Sequence, residues 1–481
     1  MVLTIDAVGS VLAAAPPAAA APAAAGAPAP APADASIAAL AGTRLPTYQF
    51  ARDPAAPPPR LGGPSGDAAA EQDEGSTSFG WDAVKAGGEL LRGPQPAAAP
   101  GRALLDGLLI ALWDDAAEKG LFRYDVTACP TKVLPGDLGF VAQLNEGRAT
   151  KKRPTEFRVD QVIQAFDPSK FNFTKASFSE VLFAFEPSPS PSAPSSFAAG
   201  AAAAPSPNAV LINVSPIDYG HALLCPRVLD RLPQLLDRES VLLALRYASE
   251  AGNPYLRVGY NSLGAYATIN HLHFQSYYLN TPMPIERAPT APLPGIARRA
   301  DGVRVSRLAP RGYPVNAFVL EGGGAEALAD AAAAAALALQ DGNVPHNMLI
   351  SECGRRVFIA PQRYAARQAA GDVPEKLLAT GVNPAVWEIT GHMVLFRPDD
   401  YESFTQDLAW ELLAAISIEE ARFLEIARTC FGACHAAPAD AAAAGAGAAR
   451  RCSECGAEAA AAEAEAAPAR AGSEQLAVAG V

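Results

Sequence analysis

In His271-Leu272-His273-Phe274-Gln275 polar side chains alternate with apolar ones at a period of two, and Ile269 and Asn270 extend the pattern upstream. A helix would scatter the three polar groups around its surface. A strand gathers them on one face and sends Leu272 and Phe274 to the other. The stretch is therefore expected to be a strand with His271, His273 and Gln275 on one pleated surface, the imidazoles about 7 Å apart. Such a row can hold a phosphoryl group: one ring attacks phosphorus, its neighbour orients it, and the amide donates to a non-bridging oxygen. The chemistry implied is nucleotidyl transfer through a histidine. The plainer alternative is a pair of strand histidines satisfied by backbone groups or joined as a metal pair.

A chain of 481 residues has room for two ordinary domains, although much of its 50% hydrophobic content is alanine in biased tracts. The Ala/Pro-rich termini bury too little surface to offset their ordering entropy and are expected to be disordered. Thr43–Phe50 is the exception, since its Leu, Tyr and Phe suit either a short docked arm or a solvated linker. A net charge of −12 argues against nucleic-acid binding but leaves room for a local phosphate site. No apolar run reaches membrane-spanning length. The seven cysteines are odd in number and scattered, which fits a reducing compartment. Cys430, Cys434, His435, Cys452 and Cys455 have metal-ligand types but a poor spacer between the pairs, so no metal is assigned. The start lacks the basic segment of a secretory signal, and the expected location is cytoplasmic. The basic bend Arg148–Pro154 reads as a phosphate contact, a nuclear-import signal adding a nuclear pool, or a solvated turn.

Along the body, Leu104–Lys119 carries a helical apolar stripe ending at Gly120, and Ser240–Glu250 is a second helix. Residues 139–145, 156–160 and 181–185 read as strands, 188–207 as a Ser/Pro/Ala loop insertion, and 210–227 as a hairpin. After a connector the pattern returns: a strand at 316–321, an alanine helix to Leu339, a hairpin over 347–361, a strand at 386–396 and helical periodicity from 399 to 430.

The His-x-His-x-Gln spacing is that of the histidine-triad superfamily in its transferase form, where Gln replaces the third histidine of the hydrolases. Tyr260–Leu279 closely resembles the signature of the plant and algal GDP-L-galactose phosphorylase family, as do Gly120–Cys129, Gly139–Arg148, Lys151–Asp160, Phe171–Lys175 and Asn383–Val394. The resemblance runs in order from about Gly120 to about Phe431. It implies an α+β protein of two histidine-triad-like halves, each an antiparallel sheet covered by helices, as in galactose-1-phosphate uridylyltransferases. The boundaries expected are a low-complexity segment over 1–100, the catalytic half over 101–288, a connector over 289–311, a second half without the motif over 312–435, and an Ala-rich tail over 436–481.

The activity implied is phosphorolysis of GDP-L-galactose by inorganic phosphate to L-galactose 1-phosphate and GDP, on the route to ascorbate, with no cofactor. From its middle position His273 is expected to attack, His271 to orient or protonate, and Gln275 to donate to the phosphate. Asn261, ten residues before His271, matches the motif's asparagine and is expected at the ribose or a phosphate, with Asn270 and Thr268 as further substrate contacts. His221 is expected to be structural, His346, His392 and Trp387 to be core or rim residues, and Glu388 is a candidate for reaching the sugar. The partners implied are a GDP-hexose and phosphate, with neither nucleic acid nor membrane; homodimerisation stays open. So do two other readings: a sister enzyme acting on GDP-D-glucose or transferring to another sugar phosphate, and a non-catalytic nucleotide-binding regulator.

Overall fold

The apolar stretches of the body become strands, and the central ones are buried at every position, as in a sheet covered on both faces. In the computed structural model, which describes residues 35–53, 55–61, 102–151, 158 and 160–432, they form a 12-stranded sheet and a separate 3-stranded one. The strands are β1 (Arg44–Phe50), β2 (Thr131–Val133), β3 (Val141–Leu144), β4 (Val181–Pro187), β5 (Ser196–Ala202), β6 (Ala209–Ile212), β7 (Ala222–Cys225), β8 (Leu256–Asn261) and β9 (Phe274–Tyr278). The second half adds β10 (Thr290–Pro292), β11 (Val303–Leu308), β12 (Phe318–Gly322), β13 (His346–Ser351), β14 (Arg356–Pro361) and β15 (His392–Leu395). The large sheet runs β10-β11-β12-β14-β13-β8-β9-β7-β6-β4-β1-β5, and the small one β15-β3-β2.

The α+β class and the two related halves are both present. Each half is a hairpin, a helix and a second hairpin: β6–β7, helix α1 (Arg238–Ala251) and β8–β9 in the first, then β11–β12, helix α2 (Gly324–Asp341) and β13–β14 in the second. The halves share one sheet, because β8 and β13 pair antiparallel from Asn261↔Asn347 to Val258↔Ile350. Between β8 and β9 lies the stretch 262–273, which carries the histidines; its topological counterpart between β13 and β14 is a tight turn. That turn takes Glu352, Cys353 and Gly354 through left-handed backbone, and a Cβ on Gly354 would meet the Leu245 carbonyl oxygen at 2.6 Å. The turn is packed closely against α1, and the second half has no counterpart of the motif loop there.

One face of the sheet packs on α1, α2 and the helices over Leu104–Glu118 and Glu420–Phe431 around Leu224, Phe274, Tyr278, Phe318 and Phe423. The other face is covered by Tyr277, Phe358, Trp387 and Leu412 beside the second half, and by Phe173, Leu223 and Ile269 beside the first.

Several local expectations change. Residues 386–396 are not one strand: a short helix α3 (Val386–Thr390) comes first, and Gly391 at φ 110° turns the chain into β15. The 188–207 insertion contains edge strand β5, and β10 and β11 lie in the stretch 289–311 read as a connector. Arg44–Phe50 docks fully, as β1 between β4 and β5, with Pro46 at a register shift where no ladder N–H is required. The proposed strand over 156–160, most of the basic bend and the cysteine-containing tail from Cys434 lie outside the described residues.

Candidate active site

The histidine stretch is not a strand along its whole length. The ladder begins only at Phe274, because β7, its neighbour, ends at Cys225 before Pro226, which has no N–H to donate. Upstream, residues 270–273 pair with an irregular segment instead: Leu272 N donates to Leu232 O at 2.8 Å. The alternation nevertheless holds. Leu272 and Phe274 enter the helix-covered core, whereas the Phe173 ring lies 5.5 Å from the His271 ring and 4.9 Å from that of His273.

His273 is 6% exposed, and two oxygens face its Nδ1: the His271 carbonyl at 2.8 Å and Gln234 Oε1 at 3.0 Å. Two acceptors can be satisfied only if Nδ1 carries the hydrogen, so the Nε2 lone pair is left for chemistry. His271 has the opposite tautomer. Its Nδ1 accepts the Phe173 N–H at 3.0 Å, so its hydrogen sits on Nε2, which is buried without a hydrogen-bond partner. The Val228 carbonyl approaches closely enough to favour the protonated ring, yet falls short of hydrogen-bond geometry. An unmatched buried donor costs about 1–3 kcal/mol, so this N–H is a group awaiting an acceptor.

Gln275 Oε1 accepts the Trp387 indole N–H at 3.3 Å, and the indole packs 4.1 Å from the Tyr277 ring. With its oxygen held, the Gln275 amide presents its N–H₂ elsewhere. Trp387 is thus more than a core residue: it comes from the second half to orient a motif side chain. Gly259 on β8 permits the approach, since a Cβ there would meet Val386 Cγ1 at 2.7 Å.

Asn261 is 4% exposed, and its Oδ1 accepts from Val386 N at 2.8 Å and from Asn347 Nδ2 at 2.6 Å. Its side chain therefore ties the start of α3 to β8. Asn270 Oδ1 accepts from Gln234 N at 2.8 Å, and its Nδ2 donates to Gln164 O and Ala165 O, so both its N–H groups are used internally. Thr268 is half-buried on the motif loop. His221 is fully buried at the start of β7, its Nδ1 accepting from Ile217 N at 2.8 Å, and Glu388 gives one oxygen to the Ala385 N–H of its own helix.

Gln234 carried no signal in the sequence: Leu-Pro-Gln-Leu-Leu shows neither charge nor periodicity, and its role arises only in three dimensions. Trp387 did lie within a family-like segment.

Burial pushes the His273 imidazole down to about 4, and burial plus the neighbouring His273 ring pushes His271 to about 3. Both rings are neutral at physiological pH, as a nucleophilic imidazole must be. The same shifts set a stability limb. An unfolded histidine takes up its proton near pH 6.5 while these folded rings stay neutral until about pH 4 or below. In that window the unfolded state binds more protons, and stability rises with pH. Burial also pushes His346 to about 4 and holds His221 well below its usual value, whereas Glu186, pushed up to about 7, acts in the opposite sense. We expect the histidine contribution to be complete above pH 6.5 and to be withdrawn as pH falls, by up to about 1.4 kcal/mol per ring per pH unit. Thermal melts between pH 7 and 5 of a Glu186→Gln variant, which removes the opposing carboxyl, check this; a midpoint that does not fall would contradict neutral burial of the rings.

The family model described as "GDPGP1-like, N-terminal domain" matches residues 104–277, and "GDPGP1-like, C-terminal domain" matches 284–437. GDP-L-galactose phosphorylase 1 of Arabidopsis thaliana is 53% identical over 351 residues, covering 73% of this chain and 78% of the relative. GDP-D-glucose phosphorylase 1 of Homo sapiens is 33% identical over 327 residues, 64% of this chain and 78% of the relative. Among solved structures, yeast Ap4A phosphorylase Apa2 in complex with AMP aligns over 65% of this chain and 96% of that chain, with 14% identity and a TM-score of 0.44. With both domain models matched and more than half the aligned residues shared with a relative covered over 78% of its length, the chain belongs to the GDPGP1-like family.

Proposed function

We propose that the chain is a GDP-L-galactose phosphorylase that works through a guanylyl-histidine. The observation that carries the mechanism is the tautomer at His273: with Nδ1 facing two acceptors, Nε2 has an unprotonated lone pair beside a buried, unmatched N–H of His271. In the first step Nε2 of His273 attacks the α-phosphorus. The N–P bond forms, the P–O bond to the β-phosphate breaks, and its electron pair leaves on L-galactose 1-phosphate. In the second step an oxygen of inorganic phosphate attacks the same phosphorus, the N–P bond breaks, and GDP departs. His271 donates its Nε2–H to the reacting phosphate and Gln275 its amide N–H to a non-bridging oxygen. Thr268 contacts the nucleotide from the motif loop, and Asn261, at the end of β8 with its Oδ1 held by Val386 N and Asn347 Nδ2, contributes its remaining amide N–H to the ribose or a phosphate. Asn270, with both N–H groups used internally, serves the substrate chiefly by holding that loop.

The substrates are a GDP-hexose and phosphate, and the reaction feeds ascorbate synthesis. Trp387 and the α3 contact to Asn261 supply the second half of the site within one chain, so a homodimer is not required to complete it. A cytoplasmic location is our reading of the odd, scattered cysteines of the sequence; no described helix is long and apolar enough to cross a membrane. A nuclear pool would rest on the basic stretch near Lys151.

The test is incubation of the purified chain with GDP-L-galactose, with and without phosphate, following GDP and the trapped adduct. We expect phosphate-dependent GDP and an acid-labile guanylyl-enzyme. An adduct without phosphate dependence would point to another acceptor, and neither product would favour the binding-regulator reading. The second substrate reading draws on the human relative, named for GDP-D-glucose. We expect kcat/KM to favour GDP-L-galactose by roughly tenfold or more, since the two hexoses differ in configuration at several ring carbons and therefore in several hydroxyl contacts; equal values would shift the assignment to a broader GDP-hexose phosphorylase.

A further inference from the structure

Gln234 is fully buried, and its side-chain oxygen and nitrogen are both engaged, by His273 and by the end of β8. Oε1 accepts the backbone N–H of His273 at 2.9 Å and lies 3.0 Å from His273 Nδ1. Nε2 donates to Asn261 O at 2.9 Å and to His273 O at 3.1 Å. Its backbone is held as well, by Asn270 Oδ1 at 2.8 Å and by the Tyr260 hydroxyl at 2.7 Å.

These contacts fix the amide's orientation without reference to any ring. A flip would aim the N–H₂ at the His273 N–H and the oxygen at two carbonyls, losing three backbone hydrogen bonds at once. The oxygen must therefore face Nδ1, and an oxygen there accepts a hydrogen and cannot donate one. The carbonyl of His271 faces the same nitrogen at 2.8 Å but belongs to a backbone already committed to the loop's course. Gln234 is the side chain added to it.

From this geometry, and resting on the phosphorylase reading above, we propose that Gln234 is a positioning residue: it fixes His273 as the Nδ1–H tautomer and steadies the positive ring once Nε2 is bonded to phosphorus. The proton balance is simple. His273 keeps its Nδ1 proton throughout, the ring becomes cationic when the N–P bond forms, and neutrality returns when phosphate takes the guanylyl group. An amide oxygen suits this cycle because it accepts in both states, and a second acceptor on a charged donor is stronger than on a neutral one.

The test uses the full chain with ¹⁵N-labelled histidine, His273 being assigned by the signal lost in H273N. In the wild type His273 should appear as a single Nδ1–H tautomer with an unprotonated Nε2; an Nε2–H form would overturn the proposal without any variant. In Q234M, similar in volume and without an acceptor, we expect a mixture of tautomers, guanylylation slowed about 10- to 100-fold, and KM for the GDP-hexose changed less than about twofold. Q234E keeps an oxygen opposite Nδ1 and, as the neutral acid that burial favours, an O–H for one of the two carbonyls; it should return the single tautomer and part of the lost rate. It serves as the test if Q234M does not fold. A folded Q234M with the wild-type rate and tautomer, or a Q234E as slow and as mixed as Q234M, would overturn the proposal. Failure of the phosphorylase reading is separate: there the wild type itself would give no adduct from GDP-L-galactose.

Discussion

Replacing His273 with Asn is expected to abolish guanylylation and to lower turnover by about 10⁴-fold or more, as loss of a covalent nucleophile does, with the fold retained. The fold should survive because an Asn amide can still donate toward the two oxygens that hold Nδ1, the His271 carbonyl and Gln234 Oε1. The discriminating companion is His271→Asn. His271 has no available lone pair, since its Nδ1 is taken by the Phe173 N–H and its Nε2 carries the hydrogen. It therefore cannot replace His273 as the attacking group. Its loss should slow both steps by about 10²-fold, the scale of a positioned proton donor, while the chain still labels with the guanylyl group. Single-turnover labelling from GDP-L-galactose separates the two variants. A labelled H273N would move the nucleophile elsewhere, and an unlabelled, folded H271N would reverse the two roles.

The sequence was informative where a pattern is local. Period-two alternation places Leu272 and Phe274 in the core and both imidazoles against Phe173 on the opposite side. It cannot say where hydrogen bonding to a neighbour begins, which depends on Pro226 ending β7 and on the irregular segment that receives Leu272. The halves were visible as a repeated order of elements, whereas their fusion through β8 and β13 is a pairing between residues far apart in the chain. The same distance hid Gln234 and the orienting role of Trp387. Each acts through one contact made across the fold, and neither belongs to a periodic face. The apolar, β-branched composition of Val386–Thr390 suits a strand, whereas the Glu388 cap and the bond from Val386 N to Asn261 make it a helix.

The largest loss of stability is expected from Arg257. This arginine is 2% exposed on β8, pairs with Glu286 through Nε at 3.0 Å and Nη2 at 2.9 Å, and donates to the carbonyls of Tyr255, Leu279 and Thr281. Leu279 and Thr281 begin the passage from β9 toward the second half, so one guanidinium joins that passage to the strand at the junction of the halves. Arg257→Met leaves a largely buried carboxylate without its cation and should cost about 3–5 kcal/mol, seen as a fall of order 10 °C in the melting midpoint. Removing both charges in R257M/E286L discriminates between causes. If the penalty were only the stranded Glu286, the double variant would recover nearly all of it, since apolar replacements of buried ion pairs are often neutral. Here the Leu279 and Thr281 carbonyls stay unmatched after both charges are gone, whereas the Tyr255 carbonyl keeps the Leu279 N–H, and each buried orphan costs about 1–3 kcal/mol. Recovery should therefore be partial, with the double variant remaining below the wild type. Full recovery would mean that water reaches those carbonyls and that the ion pair alone held the junction.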